Sequence, residues 1–165
     1  MSRATRIAKI VSGGQTGVDR AALDVALELG FPCGGWVPRG RRAEDGRIPP
    51  IYPLRETESH SYAKRTRLNV RDSDATLILT RGEPTGGTAL TVDCARSLNR
   101  PYFVVDLAGD VDLSKVREWL VRHDVRVLNV AGPRESAPPG IYRIAADILR
   151  DLLGGQPVFP IRRSP

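Results

Sequence analysis

The sequence predicts one α/β domain built on a doubly wound, mainly parallel sheet with helices on both faces. Short apolar runs alternate with helical patterns of roughly 10–15 residues, and this alternation is typical of βαβ units. Glycine-rich turns follow the strand-like runs, and ligands of parallel sheets bind beyond the carboxyl ends of the strands. The length of 165 residues and the 41% of hydrophobic residues suit a single core and exclude a wholly disordered chain.

The first half of the chain predicts two strands, two helices and a long loop. In order, these are a strand at 7–12, a helix at 18–29, a strand at 31–37, a loop at 38–56 and a polar helix at 59–71. Apolar residues recur at helical spacing from Val18 to Leu29, and Gly30 ends that helix. Pro32 and two glycines weaken the second strand. Loops as long as 38–56 are usually functional or disordered.

The second half predicts three further strands and three helices. The strands are at 75–80, 102–105 and 125–130, and the helices at 88–98, 113–123 and 141–153. The run at 75–80 is continuously apolar, as in a buried strand. The tail from 157 has three prolines and no periodicity. We therefore expect a domain over residues 1–154 and a C-terminal tail over 155–165, either loose or packed on a partner chain.

Positive charge is concentrated in one fifth of the chain. The formal net charge is +6, and residues 39–71 hold nine basic and four acidic residues, a net of +5. Clustering of this kind indicates an anionic partner. The segment also contains part of the long loop, so we expect its arginines to line a pocket for a small anion.

The sequence also indicates a cellular compartment. No stretch approaches the roughly 20 apolar residues that span a bilayer, so no membrane partner is expected. The N-terminal apolar run is interrupted by Lys9 and ends in glycines, unlike a signal peptide. Cys33 and Cys94 are too few for a disulfide scaffold. These features favour the cytoplasm.

Two glycine turns predict a ligand site. The first joins strand 7–12 to helix 18–29 and offers Gly13, Gly14, Gln15, Thr16, Gly17 and Asp19. The second follows strand 75–80 and offers Thr85, Gly86, Gly87 and Thr88. Glycines allow a ligand to approach the backbone, and helix N-termini bind anions. The alternative for both turns is a plain strand-to-helix connection in which Thr or Asp caps the helix.

Two more segments add candidate ligand-binding side chains. In the long loop, Arg39, Arg41 and Arg42 are candidates for a phosphate clamp. Trp36 is a candidate for stacking on a flat heterocycle, although a core position is the alternative for this residue. After the last strand, Arg134 and Ser136 are candidates to reach the same sheet edge, and an ordinary connecting loop is the alternative.

No catalytic or metal site is predicted. Asp19, Asp45 and Glu83 are candidate acids or bases, but nothing in the sequence pairs them. His60 and His123 are isolated, and the cysteines lack the spacing of a zinc site.

Five stretches together resemble one known family. They are GGQTGVDRAALD, GGWVPRGRRAEDG, RTRLNVRDSDATLI, GGTALT and LNVAGPRES, and the chain is similar over about 7–153 to the molybdenum-cofactor carriers. These belong to a Rossmann-like superfamily with lysine-decarboxylase-like and cytokinin-activating proteins. The resemblance implies a homo-oligomer, dimer or tetramer, that carries molybdenum cofactor (molybdopterin) at the carboxyl edge of its sheet. It further implies a small phosphorylated ligand and molybdoenzymes as partners.

One departure from the superfamily bears on catalysis. The cytokinin-activating relatives carry Gly-Gly-x-Gly-Thr-x-x-Glu, whereas this chain has Gly86-Gly87-Thr88 with Thr91 at the position of the glutamate. Without that carboxylate, no group stabilises the sugar cation of N-glycoside cleavage. A binding protein is therefore the first hypothesis, and an enzyme acting on a nucleotide or nucleoside phosphate is the alternative. Nucleic acid is not expected as a partner, despite a pI near 9.9, because few aromatics are available for base stacking.

Overall fold

A computed structural model describes residues 4–137 and 139–160. Along the chain the elements are β1 (Lys9–Val11), α1 (Val18–Leu29), β2 (Cys33–Gly34), β3 (Trp36–Val37), β4 (Arg42–Ala43), β5 (Gly46–Arg47), β6 (Arg55–Glu56), α2 (Tyr62–Arg71), β7 (Ala75–Thr80), α3 (Gly86–Ser97), β8 (Tyr102–Asp106), α4 (Leu113–Arg122), β9 (Val127–Ala131) and α5 (Ile141–Leu153). The bounds of α1, β7 and α5 are those that the sequence predicts.

The central sheet has the strand order β2-β1-β9-β7-β8, with every pair parallel. The predicted doubly wound α/β fold is therefore confirmed. β9 lies in the middle, where Leu128 pairs with Ile10 on one side and Ala75 on the other. If β9 is counted first, the order becomes 3-2-1-4-5, the common Rossmann order.

The two faces of the sheet differ in chemistry. α1, α4 and α5 cover one face over the main apolar cluster, which includes Leu77, Leu79 and Trp119. α2 and α3 pack together on the other face around a small cluster at Val70. Because side chains alternate along a strand, the residues of β7 that alternate with Leu77 and Leu79 face α2 and α3. Thr76 and Thr80 are two of these, so this second face carries buried polar groups.

The predicted strand at 31–37 is wrong as one element. Gly35 has φ 136°, and a Cβ at this position would overlap the Ser12 carbonyl oxygen. The chain therefore breaks into β2, which joins the central sheet, and β3, which pairs with β6 in a separate two-stranded sheet. The predicted long loop contains β6 and the antiparallel β4–β5 hairpin.

The beginning of α3 also differs from the prediction. The sequence predicts that Gly86 and Gly87 turn the chain before the helix, but both residues form its first turn. α2 begins at Tyr62, three residues after its predicted start. Helix ends are decided by local capping, which periodicity does not specify.

The two ends of the described chain lie side by side. The Phe159 amide donates to the Ile7 carbonyl at 3.2 Å, and the Thr5 hydroxyl donates to the Gln156 side chain at 3.1 Å. The rest of the predicted tail, residues 161–165, lies outside the described residues. The domain limit at residue 154 stays a prediction. Across residues 4–137 and 139–160, each helix is too short or too polar to cross a membrane.

Candidate functional site

A cavity of about 640 Å³ opens at the carboxyl ends of β1, β9 and β7. β1 and β9 lead into α1 and α5 on one face, whereas β7 leads into α3 on the other. The crevice between β9 and β7 is therefore a topological switch point, the usual ligand site of open α/β sheets. The cavity is lined from the β1–α1 loop, α2, the N-terminus of α3 and the β9–α5 loop.

One side of the cavity is the N-terminus of α3. Thr85 holds the N-cap position in an extended conformation, and its carbonyl accepts from Thr88 N–H at 3.0 Å and Ala89 N–H at 3.2 Å. A helix N-terminus presents N–H groups without intrahelical partners and the positive end of the helix dipole. Gly86 and Gly87 have open space where a Cβ would stand, so a ligand can reach the backbone.

The floor of the cavity holds a buried ion pair, Asp19 with Arg65. Arg65 is 8% exposed and Asp19 6%. Arg65 Nη1 lies 3.9 Å from Asp19 Oδ2 and donates to the Gly13 carbonyl. A Cβ on Gly13 would overlap the guanidinium, so the glycine makes room for this arginine. The pair joins α2 to the first glycine turn.

The environment of this pair shifts both pKa values toward the neutral forms. Burial raises the pKa of Asp19 to about 6. The charge of Arg65 and the hydrogen bond from the backbone N–H of Gln15 lower this pKa, but they oppose the effect of burial only in part. Burial likewise lowers the pKa of the Arg65 guanidinium, against the attraction of Asp19. The carboxylate is therefore incompletely satisfied, and perturbed groups of this kind in a cleft are characteristic of functional sites.

A stack of charged and aromatic groups forms the wall beside the floor. The guanidinium of Arg42 lies 4.5 Å from the centre of the Tyr62 ring, and that of Arg65 lies 5.2 Å from it. Cation–π attraction holds such contacts. The stack connects the β4–β5 hairpin to α2.

The β4–β5 hairpin is tied to both neighbouring loops through Glu44. Its carboxylate accepts from the hydroxyl of Thr16 and, at 2.6 Å, from that of Ser136. Arg134 Nη1 lies 3.8 Å from the same carboxylate, and Glu44 N–H donates to Gln15 Oε1 at 2.8 Å. Hydrogen bonds from Ser136 and Thr16 hold the pKa of Glu44 below its usual value. Glu44 thus fixes the edge of the cavity.

The structure brings nine of the fifteen predicted site residues to this cavity. They are Gly13, Gln15, Asp19, Arg42, Thr85, Gly86, Gly87, Thr88 and Arg134. The two glycine turns thus meet at one edge of the sheet. Ligand binding by these residues stays a prediction.

Three further predicted residues shape the first turn without lining the cavity. Gly14 and Gly17 have φ of 71° and 79°, and Thr16 contacts Glu44. Gly17 is the N-cap of α1, and a Cβ there would overlap the Pro133 carbonyl.

The last three predicted residues lie elsewhere. The Trp36 indole N–H donates to Asp72 at 2.9 Å, and Arg55 covers its ring at 4.5 Å. Arg41 is buried with φ 54° and donates to carbonyls of its own loop at 2.8–3.4 Å. Arg39 is exposed. The expectation that the basic segment forms the cavity wall therefore holds for Arg42 and Arg65 among its nine basic residues.

Sequence reasoning missed the contribution of α2. This helix lines the cavity with Tyr62, Arg65, Thr66 and Asn69. The Asn69 side chain also accepts a hydrogen bond from the backbone N–H of Trp36 at 2.7 Å and donates one to the Trp36 carbonyl at 2.9 Å. The available signal was a helix with four basic and no acidic residues directly after the long loop.

The described residues, 4–137 and 139–160, contain no group of three or more His, Cys, Asp or Glu side chains placed to hold a metal ion.

Comparisons with known proteins give two matches. The sequence model of the circularly permutated YpsA SLOG family matches residues 10–153. A crystal structure from Syntrophus aciditrophicus SB, named "Putative molybdenum carrier protein", shares 45% identity and a TM-score of 0.89, and the match covers 92% of this chain and 98% of that one. No curated protein matches the chain. The strand order, with the central strand last along the chain, agrees with a permuted fold.

Proposed function

The chain belongs to the circularly permutated YpsA SLOG family, and on this premise we propose that it carries molybdenum in the form of molybdenum cofactor. The resemblance to molybdenum carriers that its sequence indicates is confirmed at the level of the family. In this proposal the cofactor, a pterin with a dithiolene and a phosphate, is cargo that is bound and released without turnover.

The observation that supports this proposal best is the grouping of cationic elements around one cavity. The N-terminus of α3, Arg42, Arg134 and the buried Arg65 all line it. Helix N-termini and guanidinium groups are the usual ligands of phosphate. The volume of about 640 Å³ lies within the range of small-molecule sites.

The heterocycle of the cargo requires a flat partner. Trp36 is covered by Arg55 on one face and lies outside the cavity lining. We propose instead that the Arg42–Tyr62 stack contacts the pterin, because a planar guanidinium stacks on flat rings. Arg42 is exposed, so its outer face is free to meet a ligand.

The test uses molybdenum cofactor released from a molybdoenzyme. The wild-type chain is expected to protect it from oxidation and to restore activity to an apo-molybdoenzyme. Arg42→Ala is expected to lose most of this protection, whereas Arg39→Ala, in the same loop but outside the cavity, is expected to retain it. If wild type protects the cofactor no better than albumin does, the carrier proposal fails.

The alternative function, an enzyme acting on a nucleotide or nucleoside phosphate, has one supporting observation. Of the three candidate carboxylates, Asp19 lines the cavity, whereas Asp45 pairs with Arg20 and Glu83 is exposed. At the position of the family glutamate, the Thr91 hydroxyl donates to the Gly87 carbonyl at 3.0 Å. Incubation with a panel of nucleotides and mass detection tests the alternative. Turnover that Asp19→Asn abolishes would support it over the carrier.

We also propose that the carrier acts in the cytoplasm as a dimer or tetramer and delivers its cargo to molybdoenzymes. Light scattering on purified protein measures the oligomer. A monomer at micromolar concentration would contradict the proposed oligomer. Cofactor transfer that needs no contact with the recipient enzyme would contradict delivery to molybdoenzymes.

A further inference from the structure

The floor of the cavity contains two opposite charges that are buried but imperfectly paired. Arg65 and Asp19 are 3.9 Å apart at their closest atoms, well beyond a good charge-assisted hydrogen bond. Both side chains line the cavity, so a ligand that enters it meets them directly.

We propose that Asp19 and Arg65 form a proton-coupled anion subsite, in which an oxyanion of the ligand binds against Arg65 and Asp19 takes up a proton from solvent. This inference deepens the proposed function, because it concerns the same cavity. In this subsite, Arg65 contacts the anionic group of the ligand, and the affinity for the ligand depends on pH.

Arg65 is held in place for such a role. Its Nη1 donates to the Gly13 carbonyl, its Nε donates to Thr66 Oγ1 at 3.2 Å, and its guanidinium packs against Tyr62. Because these contacts fix the guanidinium, Arg65 cannot move closer to Asp19 when the oxyanion of the ligand binds. Two negative groups then share one cation at short range, and protonation of the carboxyl relieves their repulsion.

The other groups around Asp19 oppose the effect of burial only in part. From its own helix, the charge of Arg20 lowers the pKa of Asp19, but less than Arg65 does, and its guanidinium forms a double contact with Asp45 at 3.1 Å. From the β1–α1 loop, Gln15 N–H donates to Asp19 at 3.3 Å, and the Gly132 N–H faces it from the β9–α5 loop. From the same loop, the charge of Arg134 acts on Arg65.

The direction of the pH effect follows from these contacts. Asp19 already has its pKa raised to about 6 by burial. A bound oxyanion raises that pKa further, so binding takes up protons in the range just above pH 6. By linkage, the anion binds more tightly as pH falls from 8 to 5. Each unit of additional shift in the pKa corresponds to about a tenfold change in affinity.

The experiment measures binding of inorganic sulfate to the full chain by calorimetry. Sulfate does not titrate between pH 5 and 8, so any proton uptake belongs to the protein. We expect affinity about tenfold higher at pH 5 than at pH 8, and at pH 6.5 a binding heat that depends on the ionisation enthalpy of the buffer. Asp19→Asn, which mimics the protonated carboxyl, is expected to bind about tenfold more tightly than wild type at pH 8 and to lose the pH dependence. His60→Gln, a histidine outside the cavity lining, is the matched control and is expected to behave as wild type.

Each outcome decides the inference. Sulfate affinity that is equal at both pH values in wild type, without proton uptake, overturns it whether or not the variant folds, and so does a failure to bind sulfate at any pH. A pH dependence that His60→Gln removes and Asp19→Asn retains also overturns it. The carrier proposal is tested separately, by the protection and transfer of molybdenum cofactor, so its failure is distinguished from that of the anion subsite.

Discussion

Arg20 and Asp45 meet through two parallel contacts, Nη1 to Oδ2 and Nη2 to Oδ1, each 3.1 Å long. This fork joins helix α1 to the β4–β5 hairpin, which carries Arg42 over the cavity. Nε and Nη2 of the same guanidinium also donate to the Gly14 carbonyl at 3.1 Å. Arg20 therefore attaches the hairpin to the first glycine turn, in addition to the contacts that Glu44 makes with Thr16 and Gln15.

Arg20→Lys tests this attachment. An ammonium group cannot reproduce the fork, so we expect the variant to lose about 1–2 kcal/mol of unfolding free energy in urea. Amide hydrogen exchange over residues 42–47 should accelerate as the hairpin opens. The matched control is Arg150→Lys, whose exposed ion pairs with Glu28 and Asp147 lie away from the cavity. It should cost less than about 0.5 kcal/mol, and an equal loss in both variants would contradict the argument.

Gly132→Ala tests the tight crossing of the β9–α5 loop. A Cβ at Gly132 would overlap the Leu79 carbonyl oxygen and lie 2.6 Å from Val18 Cγ2. Backbone must therefore move, and we expect a loss of about 1–3 kcal/mol in thermal or urea unfolding. Gly109→Ala is the control, because a Cβ there has its nearest neighbour at 3.9 Å. If Gly132→Ala is as stable as Gly109→Ala, the backbone of the β9–α5 loop moves to accommodate the new Cβ without loss of stability, and the argument is wrong.

Asp19 should make stability depend on pH even without ligand. Its pKa rises from 3.8 in a free side chain to about 6 in the fold, so the folded state holds this proton more tightly. The contribution is fully present below about pH 3.8 and is lost as pH rises through 6. At pH 7.5 we therefore expect Asp19→Asn to be more stable than wild type, by up to about 3 kcal/mol. Near pH 4 the two should nearly coincide. A less stable variant at pH 7.5 would mean that ionised Asp19 stabilises the fold through Arg65.

Trp36→Phe separates the two interpretations of this tryptophan. The phenyl ring keeps the packing against Arg55 and loses the hydrogen bond to Asp72. We expect at most about 1.5 kcal/mol of lost stability and unchanged binding of molybdenum cofactor. A tenfold loss of cofactor affinity would instead support direct stacking on Trp36.

The sequence predicts those elements that have a clear local pattern. The helix from Val18 to Leu29 has helical periodicity, the strand from Ala75 to Thr80 is a continuous apolar run, and the bounds of both agree with the structure. The break at Gly35 is different, because its cause is the carbonyl of Ser12, more than twenty residues away. Contacts of that kind leave no local pattern.

The same limit applies to the site. Glycine turns after parallel strands indicate the correct sheet edge, since the ends of parallel strands meet there. The side chains that complete the cavity depend on how α2 packs. Arg65 reaches the floor because Gly13 leaves space for it, whereas Arg41 turns back into its own loop at φ 54°. Arginines that look alike in the sequence are thus separated by backbone geometry.

The central position of β9 has a consequence for the order of folding. β2 and β1 form one half of the sheet and β7 and β8 the other, and β9 connects them by pairing with β1 and β7. During synthesis, residues 127–131 emerge after all four of those strands, so the halves have no common strand to pair with until then. Because β9 pairs with β1 across more than a hundred residues of chain, this non-local pairing is expected to slow folding of the domain.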